Sequence, residues 1–250
     1  MTTVVDIEIS ETSYHSATEQ VRVWALVGES RTVYATGVHG LMVAHDSPDF
    51  KALLNRADMI TPDGMPLVWM LRLKGQPGQE RVYGPTLMLH VLEMATREKL
   101  PVGFYGGDEA TLEKLVLNLK ERFAGLKIAY AYSPPFRPLD EAEGAQINEE
   151  IRESGTRILF VGLGCPRQES WIDRQRGQIP AVMLGVGAAF DFHAGRKAQA
   201  PGWMQKMGLE WFFRLRQEPR RLWRRYLYNN PRFIGLALVD LIRFHARKGV

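Results

Sequence analysis

Two apolar runs constrain this chain more than anything else in it. "RILFVGLG" (157–164) and "AVMLGVGAAF" (181–190) lack the polar alternation of a strand with one wet face. A strand that is apolar on both sides must be covered on both sides, as in parallel sheets. "VGFYGG" (102–107), "KIAYAY" (127–132) and "VRVWALVG" (21–28) read as further β-like runs. Helical patterns alternate with them. Asp108 stands where an N-cap belongs, and Leu112, Leu115, Leu119 and Phe123 follow it at helical spacing. The expected fold class is α/β, a mainly parallel sheet with helices on both faces.

The chain's 250 residues fit one large domain, or one domain with an appendage. Residues 1–20 are expected to be a flexible lead-in and 21–207 the α/β domain. From about Gly208 the pattern turns wholly helical. "GLEWFFRLRQE", "PRRLWRRYLYNN" and "PRFIGLALVDLIRFHARK" read as three helices, the second and third opening at Pro219 and Pro231. Residues 208–250 thus form a basic, aromatic appendage. Residues 203–250 hold 11 Lys or Arg against 3 acidic residues, and the remainder 21 against 25, an asymmetry hidden in a net charge of +4.

In that tail Arg214, Arg216, Arg220, Arg221, Arg224, Arg225 and Arg232 interleave with Trp211, Phe212, Phe213, Trp223, Tyr226 and Tyr228. Three readings stay open: arginines on phosphates with aromatics stacked on bases, an anionic bilayer surface, or a packed aromatic face under solvated charge. The last helix is interrupted by Asp240 and too short to cross a bilayer, and no run of about 18 apolar residues occurs elsewhere. The start has no apolar core of the signal-peptide kind. The single cysteine, Cys165, suits a reducing compartment.

Ligands of open α/β sheets bind beyond the carboxyl ends of the strands. The segments to inspect are "YATGVHG" (34–40), "TPDG" (61–64), "FYGGD" (104–108), "GLGCPRQE" (162–169) and "GVGAAFDFHAGR" (185–196). Asp63, between Pro62 and Gly64, is either part of a plain turn or a base held on a short loop. Gly106 and Gly164 let backbone approach a phosphate at a helix start. Yet neither Gly162-Leu163-Gly164 nor Gly185-Val186-Gly187 completes a dinucleotide fingerprint, and there is no P-loop. That counts against NAD. Pro166 fits a first helical turn, with Arg167 and Gln168 just inside it. A cation, an amide and free N–H groups there suit a diphosphate or a base edge, against the plainer reading of solvated helix residues. Cys165 lacks a His/Asn partner pattern and reads as a packed residue. His39 and His193 fall outside metal-ligand spacing, and the chain has no Asp-x-Asp, so no metal is expected. Arg81 by itself reads as a surface arginine.

Taken together, "LLNRADMITPDGMPLVW", "RVYGPTLM", "FYGG", "VGLGCPRQESWI", "GVGAAFDFHAG" and "APGWMQKMGLEWFFRLRQEPRRLWRRYL" resemble the WecG/TagA/CpsF family of bacterial glycosyltransferases (glycosyltransferase family 26). The likeness runs in order over roughly residues 30–230. It implies a Rossmann-like core with a C-terminal appendage. It also implies inverting, metal-independent transfer of an N-acetylmannosamine-type or related hexose. The donor would be a UDP-sugar, with no other cofactor, and the acceptor a polyprenyl-diphosphate-linked saccharide in cell-surface polysaccharide synthesis. Asp63 takes the family's catalytic-base position, Thr36 and Arg81 its pocket threonine and arginine, and Gln168 its active-site glutamine. Arg214, Arg221 and Arg224 match appendage arginines that hold diphosphate, and Asp191 lies in a nucleotide-binding motif. Where better-studied members read Thr-x-Asn, this chain reads "ATGVHG", so Val38 or His39 stands at the sugar contact. The implied place is cytoplasmic, peripheral at the inner face of the cell membrane, with no nucleic-acid partner and with room for a homo-oligomer. A nucleotide-dependent oxidoreductase and a nucleic-acid-binding module are the alternatives. Truncation after about Gly208 is expected to end membrane association and transfer while leaving the α/β core folded.

Overall fold

The apolar runs 157–164 and 181–190 become adjacent strands in the middle of a six-stranded parallel sheet in the computed structural model, which describes residues 1–248. The chain opens with an antiparallel hairpin, β1 (Thr2–Val4) and β2 (Ile7–Ile9), and helix α1 (Tyr14–Val27). Then come β3 (Arg31–Thr36), α2 (Val38–Asp46), α3 (Pro48–Asn55), β4 (Met59–Pro62), α4 (Met65–Leu73) and α5 (Gly84–Arg97). The second half continues with β5 (Val102–Gly106), α6 (Glu109–Arg122), β6 (Ile128–Tyr132), α7 (Glu141–Glu153), β7 (Ile158–Gly162) and α8 (Arg167–Gln175). It closes with β8 (Val182–Gly185), α9 (Ala189–His193), α10 (Gly202–Lys206), α11 (Glu210–Gln217) and α12 (Pro219–Lys248). The sheet order is β4-β3-β8-β7-β5-β6, with every pair parallel. The expected α/β, Rossmann-like architecture is present.

The two-residue period of the strands sorts the core. Val33, Phe104, Phe160 and Leu184 join the cluster on one face, with the buried side of α1, α5 and α6. Tyr34, Tyr105, Leu159, Val161 and Met183 join the other, with side chains of α2, α3, α4 and α8. Burying one such side chain contributes about 1.5–3 kcal/mol, so both apolar faces demand cover. Asp108 caps α6 as expected, its carboxylate accepting from the Thr111 N–H at 2.8 Å, with Leu112, Leu115 and Leu119 buried.

Three expectations are corrected. "VRVWALVG" is not a strand but the second half of α1. Ala17, Val21 and Ala25 point inward at four-residue spacing, Ser13 and Ser16 form a capping box, and Gly28 ends the helix at φ 71°. Nor are residues 1–20 a loose lead-in. Val4, Ile7 and Ile9 are fully buried, and the Ser10 N–H donates to the Ile60 carbonyl at 2.9 Å. The last two expected helices are one, with Pro231 inside α12. Proline costs a helix one hydrogen bond. Here packing carries the helix through, because Phe233 and Ala237 sit in the core cluster beyond it. The final appendage residues, Gly249 and Val250, lie outside the described residues.

Lys74 makes the attachment of α12 firm. Its side chain is 3% exposed, and Nζ donates to Asp240 Oδ2 and to the Thr3 carbonyl, each at 2.7 Å. Asp240 Oδ2 also accepts from the Val5 N–H at 2.9 Å. One carboxylate thus joins α12, α4 and the N-terminal hairpin. The appendage is therefore part of the core, and truncation after Gly208 would strip Phe233, Ala237 and Asp240 from it. Breaking a buried ion pair leaves an uncompensated charge. Asp240→Ala is expected to lower stability by roughly 2–3 kcal/mol, measured by urea unfolding, whereas exposed Arg243→Ala stays within about 0.5 kcal/mol.

Candidate active site

The carboxyl ends of β3, β4, β7 and β8 open into one cleft of about 1100 Å³, roofed by α10, α11 and α12. Asp63 stands at the end of β4. Its N–H donates to the Thr36 carbonyl at 3.0 Å, extending the β3–β4 ladder by one rung. Its Oδ1 accepts from the Gly84 N–H at 2.9 Å, the first residue of α5. A helix N-terminus favours a carboxylate. Even so, desolvation pushes the Asp63 pKa above its ordinary value, and Glu210 pushes the same way against Arg81, the Gly84 N–H and Arg214. The result is a half-buried carboxylate with raised proton affinity, facing a cleft.

Arg81 lies beside it. Nε donates to the Asp63 carbonyl, Nη2 to Glu210 Oε2 at 2.5 Å, and the guanidinium lies 4.0 Å from the centre of the Tyr83 ring. The arginine that reads as a surface residue is thus largely shielded, its side chain 13% exposed. Thr36 and Gly164 line the cleft too, and Gln168 is buried in its wall. Gln168 Oε1 accepts from the Gly187 N–H at 2.9 Å, and Nε2 donates to Glu169 Oε1 at 3.0 Å, so the amide ties the first turn of α8 to the turn after β8. Burial raises the pKa of Glu169 and of the Cys165 thiol, which keeps the thiol protonated. Arg167 stays exposed at the rim.

His39 lines the cleft with Nδ1 3.3 Å from Asn229 Nδ2 of α12. Burial, then Arg225, push its pKa down to about 4, so the ring is neutral at physiological pH. Asp191 also lines the cleft and is paired with Lys197 at 2.7 Å. From the C-terminal helices Arg214 and Arg221 enter the cleft. Arg224 does not; it is exposed, 5.3 Å from the centre of the Trp223 ring. Arg225 lines the cleft in its place, and desolvation, then Arg221, lower its pKa. Gly106 is outside the cleft as well. It has φ 123°, and a Cβ there would lie 2.7 Å from the Gly162 carbonyl carbon, so it serves the packing of β5 on β7. His193 spends Nε2 on the Pro85 carbonyl at 2.8 Å. Among the described residues no group of three or more His, Cys, Asp or Glu is arranged to hold a metal ion.

Sequence reading missed Tyr83, Glu210, Arg225 and Asn229 as cleft residues. Glu210 carried a signal, being one of few carboxylates in a basic tail. The choice between Arg224 and Arg225 did not, because it depends on how α12 is rotated against the core.

Comparison with known proteins finds a family match and two close-length relatives. The description "Glycosyl transferase WecG/TagA/CpsF family" matches residues 2–247. An N-acetylglucosaminyldiphosphoundecaprenol N-acetyl-beta-D-mannosaminyltransferase of Bacillus spizizenii is 34% identical over 196 residues, 78% of this chain and 74% of that protein. A Bacillus subtilis protein of the same name is 32% identical over 180 residues, 72% of this chain and 68% of its own length.

Two measurements probe the cleft. A thiol reagent at neutral pH is expected to modify Cys165 at least tenfold more slowly than free cysteine. The His39 ring resonances are expected not to titrate between pH 8 and about 5 in an NMR series. The sign follows from the lowered pKa: the folded state binds the His39 proton less readily than the unfolded state, so stability falls as pH drops from 6.5 toward about 4.

Proposed function

The chain belongs to the WecG/TagA/CpsF family of glycosyltransferases, and on that footing we infer that it transfers a hexose from a UDP-sugar to a polyprenyl-diphosphate-linked saccharide, with inversion and without a metal. The reading places it in glycosyltransferase family 26. The observation that carries it is the Asp63 carboxylate, set in the same cleft that Arg214, Arg221 and Arg225 line. Inverting transfer needs a base at the acceptor hydroxyl and charge stabilisation at the leaving diphosphate. The acceptor oxygen attacks the anomeric carbon as its proton passes to an Asp63 oxygen. The bond to UDP breaks on the opposite side, and the guanidiniums meet the charge left on the diphosphate. Their cations supply what a metal would otherwise supply, and no cofactor beyond the donor is needed. The names of the two Bacillus relatives favour N-acetylmannosamine as the sugar and N-acetylglucosaminyl-diphosphoundecaprenol as the acceptor. Thr36 and His39 then flank the sugar, and Asp191, Gly164 and Arg167 the nucleotide.

A lipid-linked acceptor calls for a membrane-facing surface. Trp223, Leu227, Ile234, Leu238 and Ile242 form an exposed apolar stripe along α12, while Leu222, Asn229, Phe233 and Ala237 of the same helix face inward. Exposed Trp203, Met207, Phe212, Trp69 and Leu73 add to the apolar surface of the helices that roof and flank the cleft. No helix among the described residues is long and apolar enough to cross a membrane. An apolar stripe with cations beside it suits an interfacial helix on anionic lipid. The proposed place is the inner face of the cell membrane, held peripherally.

Asp63→Asn is expected to keep UDP binding within twofold by calorimetry while cutting turnover at least tenfold; near-wild-type turnover in the folded variant removes Asp63 as the base. Leu227→Glu combined with Ile234→Glu is expected to reduce co-sedimentation with anionic vesicles at least tenfold, with an unchanged circular dichroism spectrum.

A further inference from the structure

Arg81 is matched to the family's pocket arginine, yet all three of its guanidinium nitrogens already have partners. Nε donates to the Asp63 carbonyl, Nη2 to Glu210 Oε2 at 2.5 Å, and Nη1 faces Gln205 Oε1 at 3.5 Å. Glu210 is the first residue of α11 and Gln205 belongs to α10, so two of the three partners come from the roof. Glu210 Oε1 also takes the Tyr83 hydroxyl at 3.2 Å. The carboxylate and the guanidinium are 15% and 13% exposed, so each needs the other. A second observation fixes the same seat. Gly208 turns into α11 at φ 72°, and a Cβ there would lie 2.8 Å from the Trp69 ring of α4. The start of α11 is pressed onto the body with no space to spare.

We propose that Glu210 is a positioning residue for the transfer, acting on Asp63 through Arg81, so that the base loop takes its working arrangement only when α11 is seated over the cleft. The proposal rests on Asp63 being the base. Arg214 follows Glu210 by four residues and so shares its face of α11. The seating that engages Arg81 therefore also delivers Arg214 into the cleft. One docking event sets the proton acceptor and a cation for the leaving group.

The test uses the full chain, a UDP-sugar donor and a lipid-linked acceptor, with Glu210→Gln, Glu210→Ala, Arg81→Ala and the Arg81→Ala/Glu210→Ala pair. Glu210→Ala is expected to lower kcat at least tenfold with UDP affinity within twofold, and Glu210→Gln to fall between it and wild type. The double variant is expected to be no more than threefold slower than Arg81→Ala alone, since both act through one linkage. The charged groups facing Asp63 are Arg81, Glu210 and Arg214, with the phenols of Tyr14 and Tyr83 nearby. Removing the Glu210 charge lowers the pKa of Asp63, so the acidic limb of the kcat profile is expected to move to lower pH in Glu210→Gln. A merely structural contact would not move that limb. Wild-type kcat in Glu210→Ala, or losses that multiply in the double variant, overturns the proposal. If Glu210→Ala melts early, Glu210→Gln decides alone: wild-type kcat with an unshifted limb overturns it. Asp63→Asn run in parallel separates the two ideas. Its activity at wild-type level removes the base, whereas an inactive Asp63→Asn beside a wild-type Glu210→Ala removes only the positioning role.

Discussion

Burial of the parallel sheet on both faces is the constraint on which everything else depends. Once helices cover Val33, Phe104 and Phe160 on one side and Tyr34, Leu159 and Met183 on the other, polar chemistry has only the strand ends to occupy. At the carboxyl ends, helix N-termini bring unpaired N–H groups to the same edge. Asp63 uses this directly, taking the first N–H of α5. The loop "TPDG" is thus more than a turn. Its proline closes β4, its aspartate adds a rung to the ladder with Thr36, and its glycine starts α4.

Charge in the cleft is organised by interleaved pairs of opposite sign. Asp63 and Glu210 flank Arg81 at one end, while Arg214, Arg221 and Arg225 come from the roof. At reduced dielectric each of these groups shifts its neighbours, which is why the proton affinity of Asp63 answers to a residue of α11. The neutral His39 and the protonated Cys165 belong to the same setting, since burial removes the charge that neither can pair.

Helix α12 has two jobs, and its sequence shows both. Leu222, Phe233 and Ala237 join the body, Asn229 meets His39, and Asp240 holds Lys74. The stripe from Trp223 to Ile242 stays apolar and exposed, and Leu227, Ile234 and Leu238 of it border the cleft. A helix that is apolar on two sides must be covered on two sides, and this chain covers only one. The same attachment explains why the basic tail is not a detachable tether: its charges are carried on an element whose other side closes the core.

Local order decided what the sequence by itself could determine. The apolar runs of β5, β7 and β8, the Asp108 cap and the helical character of the tail depend on neighbours within a few residues, and all were legible. The family motifs were legible too, because they are contiguous strings. The reading failed where two local patterns coincide or where contacts are distant. "VRVWALVG" suits a strand by its β-branched and apolar content and became a helix because Ala17, Val21 and Ala25 pack at helical spacing. The hairpin around Val4 and Ile7 is too short to show itself without the body that buries it. Pro231 reads as a break until Phe233 and Asp240 are seen anchored beyond it. Only the tertiary structure could pair Arg81 with Glu210, 129 positions away, or choose Arg225 over Arg224. Such pairings depend on how one helix is rotated and seated on another, and that is set by packing across the whole core.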